Sequence, residues 1–282
     1  MNEDWPDPHA KIVGQAIALA EVGEMHPHRH RQAQLLYVIS GVVTVEADAG
    51  IWTVPPSCAI WIPGGCLHTA HVVGQASVGC LYIDPDASAS LRPDCGILFV
   101  RPLLRELILH FVAAQPGDTA GSRDERLFVV LIDELEAAPE EPLHLPMPSD
   151  RRLRRIVDAF LADPALRMTI DQWGVRVGAS NRTLSRLFRE QTGMPFVKWR
   201  QQLHIGLALQ RLAEGERVTN VAIDLGYESL SAFIAMFKRV LGTTPARYFT
   251  DDSANELAGA SLAGAGPVDV VAFPQTRTRR QR

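Results

Sequence analysis

The sequence predicts an α+β protein of two domains, an N-terminal β-barrel with covering helices and a C-terminal all-α domain of two helix-turn-helix units. Short apolar runs at regular spacing predict the barrel, a helical apolar period predicts the second domain, and an internal repeat predicts its two units. The predicted domains are 1–137 and 150–250, joined by a proline-rich linker at 138–149 and followed by a disordered tail at 251–282.

Short apolar runs separated by turn residues define the strands of the first domain. The runs at 35–39, 42–45, 51–54 and 59–62 are separated by glycines and prolines. Strands of this length and spacing are typical of a barrel or a sandwich.

Two helices are predicted after the strands, because from residue 103 the apolar residues recur with a helical period. The apolar stripe of the first helix comprises Leu104, Leu107, Ile108 and Phe111. These helices either cover the barrel or form a dimer face, and the sequence does not separate the two roles. For a dimer face, this stripe is our candidate.

Charge is distributed unevenly along the 282 residues. Residues 1–149 contain 8 Lys and Arg against 19 Asp and Glu, whereas residues 150–250 contain 16 against 9. A basic domain attached to an acidic one is expected when only the second domain binds a polyanion such as DNA or RNA.

Several protein classes do not fit the sequence. No apolar run reaches the roughly 18 residues of a membrane span, and the acidic, proline-rich first ten residues differ from a secretory signal. The four cysteines form no CxxC pair, so neither a disulfide framework nor a zinc finger is predicted. We expect a cytoplasmic protein without a membrane partner.

The helical half repeats itself at an offset of 49 residues, which aligns Ser180 with Ser229, Phe188 with Phe237 and Gly193 with Gly242. Each copy is predicted to form a helix, a tight turn and a second helix that begins after the serine, a residue type favoured at helix N-caps. The outer face of these second helices comprises Asn181, Arg182, Ser185, Arg186 and Arg189 in the first copy and Leu230, Ser231, Ile234 and Ala235 in the second, and Lys238 is a further DNA-binding candidate.

A helix that presents its N-terminal end in this way fits the DNA major groove, where arginine can bind guanine with two hydrogen bonds. The segment from 196 to 214 is predicted to be a rigid helix between the two units. Its roughly 27 Å length approaches the roughly 34 Å between successive major-groove faces of one duplex. The alternative interpretation is an ordinary helical bundle with a solvated arginine face.

The second half resembles the AraC/XylS family of transcription regulators over about 100 residues. The resemblance rests on Ser180-x3-Leu184-x-Arg186-x-Phe188 with Gly193-x-Pro195, and on Gly226-Tyr227-x-Ser229-x-Ser231-x-Phe233-x3-Phe237-Lys238 with Gly242-x2-Pro245.

This resemblance implies a regulator that binds double-stranded promoter DNA, responds to an effector and dimerises through its N-terminal half, with RNA polymerase as a further candidate partner. It places the groove-reading positions at Arg182, Ser185, Arg186, Leu230, Ser231 and Ala235. Because the second set has few long polar side chains, we expect the first unit to supply most base specificity. The second unit would mainly contact phosphates and thymine methyls.

The first half resembles the cupin signature, in which histidines and a glutamate bind a divalent transition metal. The resemblance rests on His28-x-His30-x3-Gln34-x6-Gly41 and on Pro63-x-Gly65-x2-His68. It implies a metal site of His28, His30, Gln34 and His68, in which Gln34 replaces the usual glutamate with a weaker, neutral ligand. Since residues two apart on a strand share a face, His28 and His30 are both expected to point into the barrel.

Three interpretations of the histidines stay open: a metal-dependent sensor, a pocket in which they hydrogen-bond a small organic effector, and a structural role. The aromatic residues Tyr37, Trp52, Trp61 and Tyr82 either line such a pocket or pack in the core. The alternative function is a metal-dependent cupin enzyme with an accessory DNA-binding module. We favour a regulator that is not an enzyme, because the histidines lack a clear acid–base pair beside them.

Overall fold

The computed structural model describes residues 10–20, 26–72, 74–114 and 121–250. The predicted tail at 251–282 lies outside the described residues. The strands are β1 (Ile12–Ala20), β2 (Ala33–Ser40), β3 (Val43–Ala47), β4 (Gly50–Val54), β5 (Cys58–Ile62), β6 (His68–Val72), β7 (Gln75–Ile83), β8 (Gly96–Phe99) and β9 (His144–Pro146). The helices are α1 (Pro102–Ala113), α2 (Ser122–Ala137), α3 (Arg151–Ala162), α4 (Ile170–Val177), α5 (Asn181–Thr192), α6 (Phe196–Ala213), α7 (Val218–Asp224), α8 (Leu230–Leu241) and α9 (Pro245–Thr250).

The N-terminal domain consists of two antiparallel sheets with a shared apolar core. One sheet has the order β1-β7-β2-β5-β8 and the other has the order β6-β3-β4-β9. Alternate side chains of both sheets, among them Val38, Val45 and Trp52, are buried in one cluster between them. The predicted β-rich N-terminal domain is confirmed, while closure into a barrel stays a prediction.

Helices α1 and α2 cover the outer face of the five-stranded sheet. The apolar stripe of α1 is buried there, with Leu104 and Phe111 each 1% exposed. The covering role is therefore the correct alternative, and this stripe is not the dimer face, because the sheet already buries it.

The segment predicted as a linker is not a free connection. It contains β9, which pairs with β4 so that Ile51 lies opposite Leu145 and Trp52 opposite His144. The His144 ring also stacks on Trp52, with 4.4 Å between the ring centroids. A three-residue strand that ends in a proline gives little sequence signal, and the prediction missed it.

The C-terminal domain confirms the two helix-turn-helix units. Ser180 and Ser229 are the N-caps of α5 and α8, and each hydroxyl accepts a hydrogen bond from a backbone N–H, at 3.2 Å in both helices. Both helices end at a glycine in the left-handed conformation, Gly193 with φ 69° and Gly242 with φ 76°. The two copies thus share capping chemistry as well as sequence.

Helix α6 joins the two units and also packs on the outer face of the four-stranded sheet. Thr44 and Thr53, which are paired neighbours on β3 and β4, are both buried beneath it. Gln210 of α6 donates a hydrogen bond to the Thr44 hydroxyl at 2.6 Å, and the Trp199 indole donates to the Pro146 carbonyl at 2.9 Å. The helical half is therefore docked on the N-terminal domain through α6 and β9.

Candidate effector site and nucleic-acid interface

The predicted groove-reading residues of the first unit lie on the outer face of α5. Arg182, Arg186 and Arg189 are exposed, and Asn181 and Ser185 are half-buried. Leu184, Leu187 and Phe188 pack into the core on the opposite face of the helix. This division leaves the arginine side chains accessible to a ligand as large as a duplex.

Polar contacts already orient several of these α5 side chains. Asn181 donates to the Asp171 carboxylate at 2.7 Å and accepts from the Ser185 hydroxyl at 2.8 Å. Arg186 forms an ion pair with Glu190, one helical turn away, at 2.6 Å. Exposed pairs of this kind stabilise a helix by only about 0.3–0.5 kcal/mol, so a phosphate or a guanine can readily replace Glu190.

The second unit presents a less polar surface. Leu230, Ser231, Ala235 and Lys238 are all exposed on α8, and Phe233, Met236 and Phe237 are buried beneath them. The exposed Leu230 and Ala235 side chains can contact thymine methyl groups but donate no hydrogen bond to a base edge.

A buried hydrogen-bond chain holds the turn of the second unit against α6. His204 is almost fully buried, and its Nε2 donates to the Pro164 carbonyl at 3.0 Å. Its Nδ1 can then accept from the Tyr227 hydroxyl at 3.1 Å. Burial lowers the pKa of His204 to about 4 and raises that of Tyr227 to about 12, so both groups are neutral near pH 7.

The structure brings the three predicted histidines of the N-terminal domain together. One ring nitrogen from each of His28, His30 and His68 lies within 4.8 Å of the others. The ring centroids of His28 and His68 are 4.3 Å apart, and those of His30 and His68 are 5.2 Å apart.

His28 and His30 do not lie on a strand, which corrects the sequence prediction. They precede β2, where His28 forms an isolated antiparallel bridge with His68. The His30 carbonyl accepts a hydrogen bond from the Gly65 N–H at 2.7 Å. A single bridge and a turn contact, in place of a ladder, hold this segment against the start of β6.

A backbone carbonyl lies beside Nδ1 of each ring. The distances are 3.1 Å from His28 to the His26 carbonyl, 2.7 Å from His30 to the Gln32 carbonyl and 3.0 Å from His68 to the Cys66 carbonyl. A carbonyl oxygen accepts only, so each Nδ1 is the donor, and in a neutral ring the lone pair is then on Nε2. Metal-binding histidines show this arrangement, in which the other ring nitrogen is fixed by a hydrogen bond.

His68 has the ring nitrogen whose surroundings most favour binding a ligand. Its Nε2 is buried and has no hydrogen-bond partner among the described residues. Burial, with smaller contributions from His28 and His30, lowers the pKa of His68 to about 4 and keeps the ring neutral. An unpartnered buried acceptor is costly unless something binds it.

Gln34 lies beside this cluster. Its side-chain oxygen is 3.1 Å from Nε2 of His30, and its amide nitrogen donates to the Cys80 sulfur at 3.6 Å. Turned about its terminal bond, the Gln34 amide would donate an N–H to Nε2 of His30.

The four aromatic residues predicted to line an effector pocket lie on two different faces. Tyr82 is opposite Gln34 on the neighbouring strand, and its ring centroid lies 5.4 Å from that of His30. Trp52 is buried between the sheets. Tyr37 and Trp61 point to the other side of the five-stranded sheet and pack under the helices, so these two cannot share a pocket with the histidines.

Sequence reasoning missed the groups that orient the histidines. The three carbonyl acceptors belong to the backbone, which every residue type has, so the sequence does not predict their positions. It also missed the α6 contact with β3 and β4, since buried threonines on the outer face of a sheet have no pattern that distinguishes them from exposed ones.

Two protein families match the chain. A family described as "Helix-turn-helix domain" matches residues 173–251, and one described as "AraC-like ligand binding domain" matches residues 17–144. The HTH-type transcriptional regulator NimR of Escherichia coli K12 is 40% identical over 250 residues, which is 88% of this chain and 91% of that protein. The chain belongs to the AraC family of transcription regulators.

Other AraC-type regulators are more distant. The arabinose operon regulatory protein of E. coli K12 is 27% identical over 155 residues, covering 52% of this chain and 51% of that protein. The crystal structure of ToxT from Vibrio cholerae is 12% identical, covers 85% of this chain and 98% of that chain, and has a TM-score of 0.36.

Family membership identifies a DNA-binding regulator with a ligand-binding domain and not an enzyme. Within the described residues, no helix has both the length and the apolar character that a membrane crossing requires.

Proposed function

We propose that this AraC-family regulator responds to a divalent transition metal bound by His28, His30 and His68. One observation supports this most: the three rings converge with each Nδ1 directed at a backbone carbonyl, which leaves the Nε2 lone pairs as ligands. A purely structural His68 would need a partner for its buried Nε2, and that atom has none among the described residues.

The ligand type limits the choice of metal. Neutral imidazole nitrogens suit zinc, copper, iron and nickel, whereas magnesium and calcium prefer oxygen ligands. Three histidines with the neutral Gln34 amide nearby give a site without protein negative charge. A bound metal would supply a positive charge that ties the segment before β2 to the first residue of β6.

The four-stranded sheet offers a route from this site to the DNA-binding half. On β6 and β3, His68 and Ala47 are paired on the inner face of the sheet. Thr44 of β3 faces the other side and accepts from Gln210 of α6. A metal that displaces β6 would therefore act on the sheet on which α6 is docked, provided that it binds the two docking states with different affinity.

The DNA-binding residues are assigned unequal roles in this proposal. Arg182, Arg186 and the α5 surface supply base specificity in the major groove of promoter DNA. The α8 surface, with Lys238 beside Leu230 and Ala235, contributes phosphate and thymine-methyl contacts.

A small organic effector is the second candidate. The proximity of Tyr82 to His30 favours it, because a phenol and an imidazole together bind polar organic groups. In this case the histidine nitrogens would hydrogen-bond the effector instead of a metal.

We also propose a cytoplasmic homodimer that interacts with RNA polymerase, on the basis of the family. Since the α1 stripe is buried, a dimer face on the helices would have to use α2, where Val129 is 58% exposed and Val130 is 37% exposed.

The metal proposal is tested by elemental analysis of protein produced in metal-supplemented medium. The His68→Ala variant removes a ligand, and His71→Ala is the matched control, because His71 lies on the same strand but faces away from the cluster, near Glu46. We expect stoichiometric metal in the wild type and in His71→Ala, and loss of the metal in His68→Ala. Wild-type protein without metal would overturn the proposal in favour of the organic effector.

The regulatory part of the proposal requires a DNA measurement. An operator is first selected from a random duplex library with the full-length protein, and its affinity is then measured with and without the bound metal. We expect the metal to change the affinity in the wild type and in His71→Ala but not in His68→Ala. An equal response in all three proteins would exclude the histidine cluster as the effector site.

A further inference from the structure

Two cysteines lie together at the histidine end of the N-terminal domain. Cys66 is in the turn between β5 and β6, and Cys95 directly precedes β8. Their sulfur atoms are 3.7 Å apart and both residues are half-buried, whereas Cys58 and Cys80 are buried. The two more accessible thiols are therefore also the two that lie next to each other.

The Cys66 backbone is part of the histidine cluster. Its carbonyl accepts the hydrogen bond from Nδ1 of His68 at 3.0 Å. The same turn supplies the Gly65 N–H that binds the His30 carbonyl. Any movement of Cys66 therefore changes the orientation of the His68 ring and the support of His30.

We propose that Cys66 and Cys95 form a redox-sensitive pair, which a peroxide converts to a disulfide that re-orients His68. Disulfide formation brings the sulfurs from 3.7 Å to about 2.05 Å. Closing this gap requires rotation of the two side chains and movement of the turn that carries Cys66. The idea rests on the proposed function, since it adds regulation to the same histidine site.

The reaction balances with hydrogen peroxide as the oxidant. One thiol sulfur attacks the O–O bond, which yields a sulfenic acid and one water molecule. The second sulfur then attacks the sulfenic sulfur, the S–S bond forms, the S–O bond breaks, and a second water molecule leaves. The two sulfurs together lose two electrons and two protons, and the peroxide is reduced to water.

The local environment indicates the order of these steps. Burial, with a smaller contribution from the Cys66 thiol, raises the pKa of Cys95 to about 12. Cys95 therefore stays protonated near neutral pH and reacts slowly with peroxide alone. Cys66 is the better candidate for the first oxidation, with Cys95 as the resolving thiol.

Peptide mapping of the full-length, metal-free protein tests the disulfide. After peroxide treatment and alkylation under denaturing conditions, we expect a Cys66–Cys95 cross-link, with Cys58 and Cys80 still alkylated as internal controls. The Cys66→Ala and Cys95→Ala variants should each lose the cross-link, and either one suffices if the other does not fold. Absence of the cross-link in the wild type, or equal cross-linking of other cysteine pairs, would overturn the proposal.

The effect on His68 is measured in the same metal-free protein by NMR with labelled histidine. We expect the Cε1–H resonance of His68, assigned by its loss in His68→Ala, to shift on oxidation in the wild type but not in Cys95→Ala. An unchanged resonance in cross-linked protein would exclude the coupling. Neither measurement uses a metal. A protein that binds no metal would therefore overturn the proposed effector, whereas the cross-link and the shift of the His68 resonance would still test the disulfide proposal.

Discussion

Gly206 of α6 lies directly against Thr53 of β4, so that a Cβ atom on Gly206 would come within 2.8 Å of the Thr53 hydroxyl oxygen. The close approach explains why a glycine occupies the middle of an 18-residue helix, a position where alanine would favour the helix by about 1 kcal/mol. Glycine at this position thus permits the contact between the domains, at the cost of helix propensity.

Replacing Gly206 with alanine should therefore weaken docking, even though it improves the helix. We expect the Gly206→Ala variant to lose on the order of 1–3 kcal/mol of unfolding free energy, the usual cost of overpacking. Thr53 relieves the clash poorly, because its β-branched side chain has few χ1 choices in a strand. Denaturant unfolding, followed by tryptophan fluorescence, measures the loss.

The control for this prediction is the double variant Gly206→Ala with Thr53→Ala. Removal of the Thr53 hydroxyl should recover most of the lost stability, since that oxygen is the nearest atom to the added methyl group. No recovery in the double variant would show that α6 and β4 do not make this contact in solution.

The buried His204 predicts a dependence of stability on pH. Its pKa is about 4 in the folded protein, against the ordinary 6.5, because burial disfavours the charged ring. Between these two pH values the unfolded chain binds a proton that the folded protein excludes. The unfolding free energy contributed by His204 is therefore fully present above pH 6.5 and falls as the pH drops to 4, by on the order of 3 kcal/mol.

The His204→Gln variant isolates this contribution, because glutamine is neutral at every pH and can still donate to the Pro164 carbonyl. The measurement is the unfolding free energy of both proteins between pH 4 and 7. We expect the gap between them to narrow at low pH, since only the wild type loses the His204 contribution. Curves that stay parallel would show that His204 titrates normally in the folded protein.

The DNA-binding half is the part of the fold that the sequence predicts best, for a physical reason. Its capping serines and its terminal glycines, Gly193 and Gly242, act locally, so their effect on helix ends can be read along the chain. The covering of the β-sheet by α1 also follows from its apolar stripe, although the choice between cover and dimer face required the packing itself.

Longer-range features of the molecule could not be predicted. The segment with His28 and His30 is not a strand, because only one bridge to His68 holds it. The β9 pairing and the Gly206 contact join residues far apart in sequence. The only sign of the first in the sequence is a three-residue segment, and the only sign of the second is a glycine inside a helix. The convergence of the histidines was predicted, but the carbonyls that set their protonation were not.

The two capping serines should contribute equally to stability, because their cap hydrogen bonds have the same length. We expect Ser180→Ala and Ser229→Ala each to cost about 1 kcal/mol of unfolding free energy. Ser231→Ala is the matched control: it makes the same substitution inside α8, where alanine is the better helix former. A cost for Ser231→Ala as large as that for Ser229→Ala would contradict the capping role.

Arg186 should determine base specificity more than any exposed residue of α8. Replacing it with alanine removes a guanidinium group that can donate two hydrogen bonds to guanine. The free-energy difference between binding the selected operator and binding a single-base variant should therefore fall by about 1–3 kcal/mol. Arg186→Lys should lose a similar share of discrimination while keeping the salt dependence of binding, because lysine retains the charge without the planar geometry.

Ala235→Gly should alter discrimination little, since alanine offers at most a methyl contact. The test is a fluorescence anisotropy titration of the four proteins against both duplexes at two salt concentrations, and comparable losses for Arg186→Ala and Ala235→Gly would refute the unequal roles of the two units.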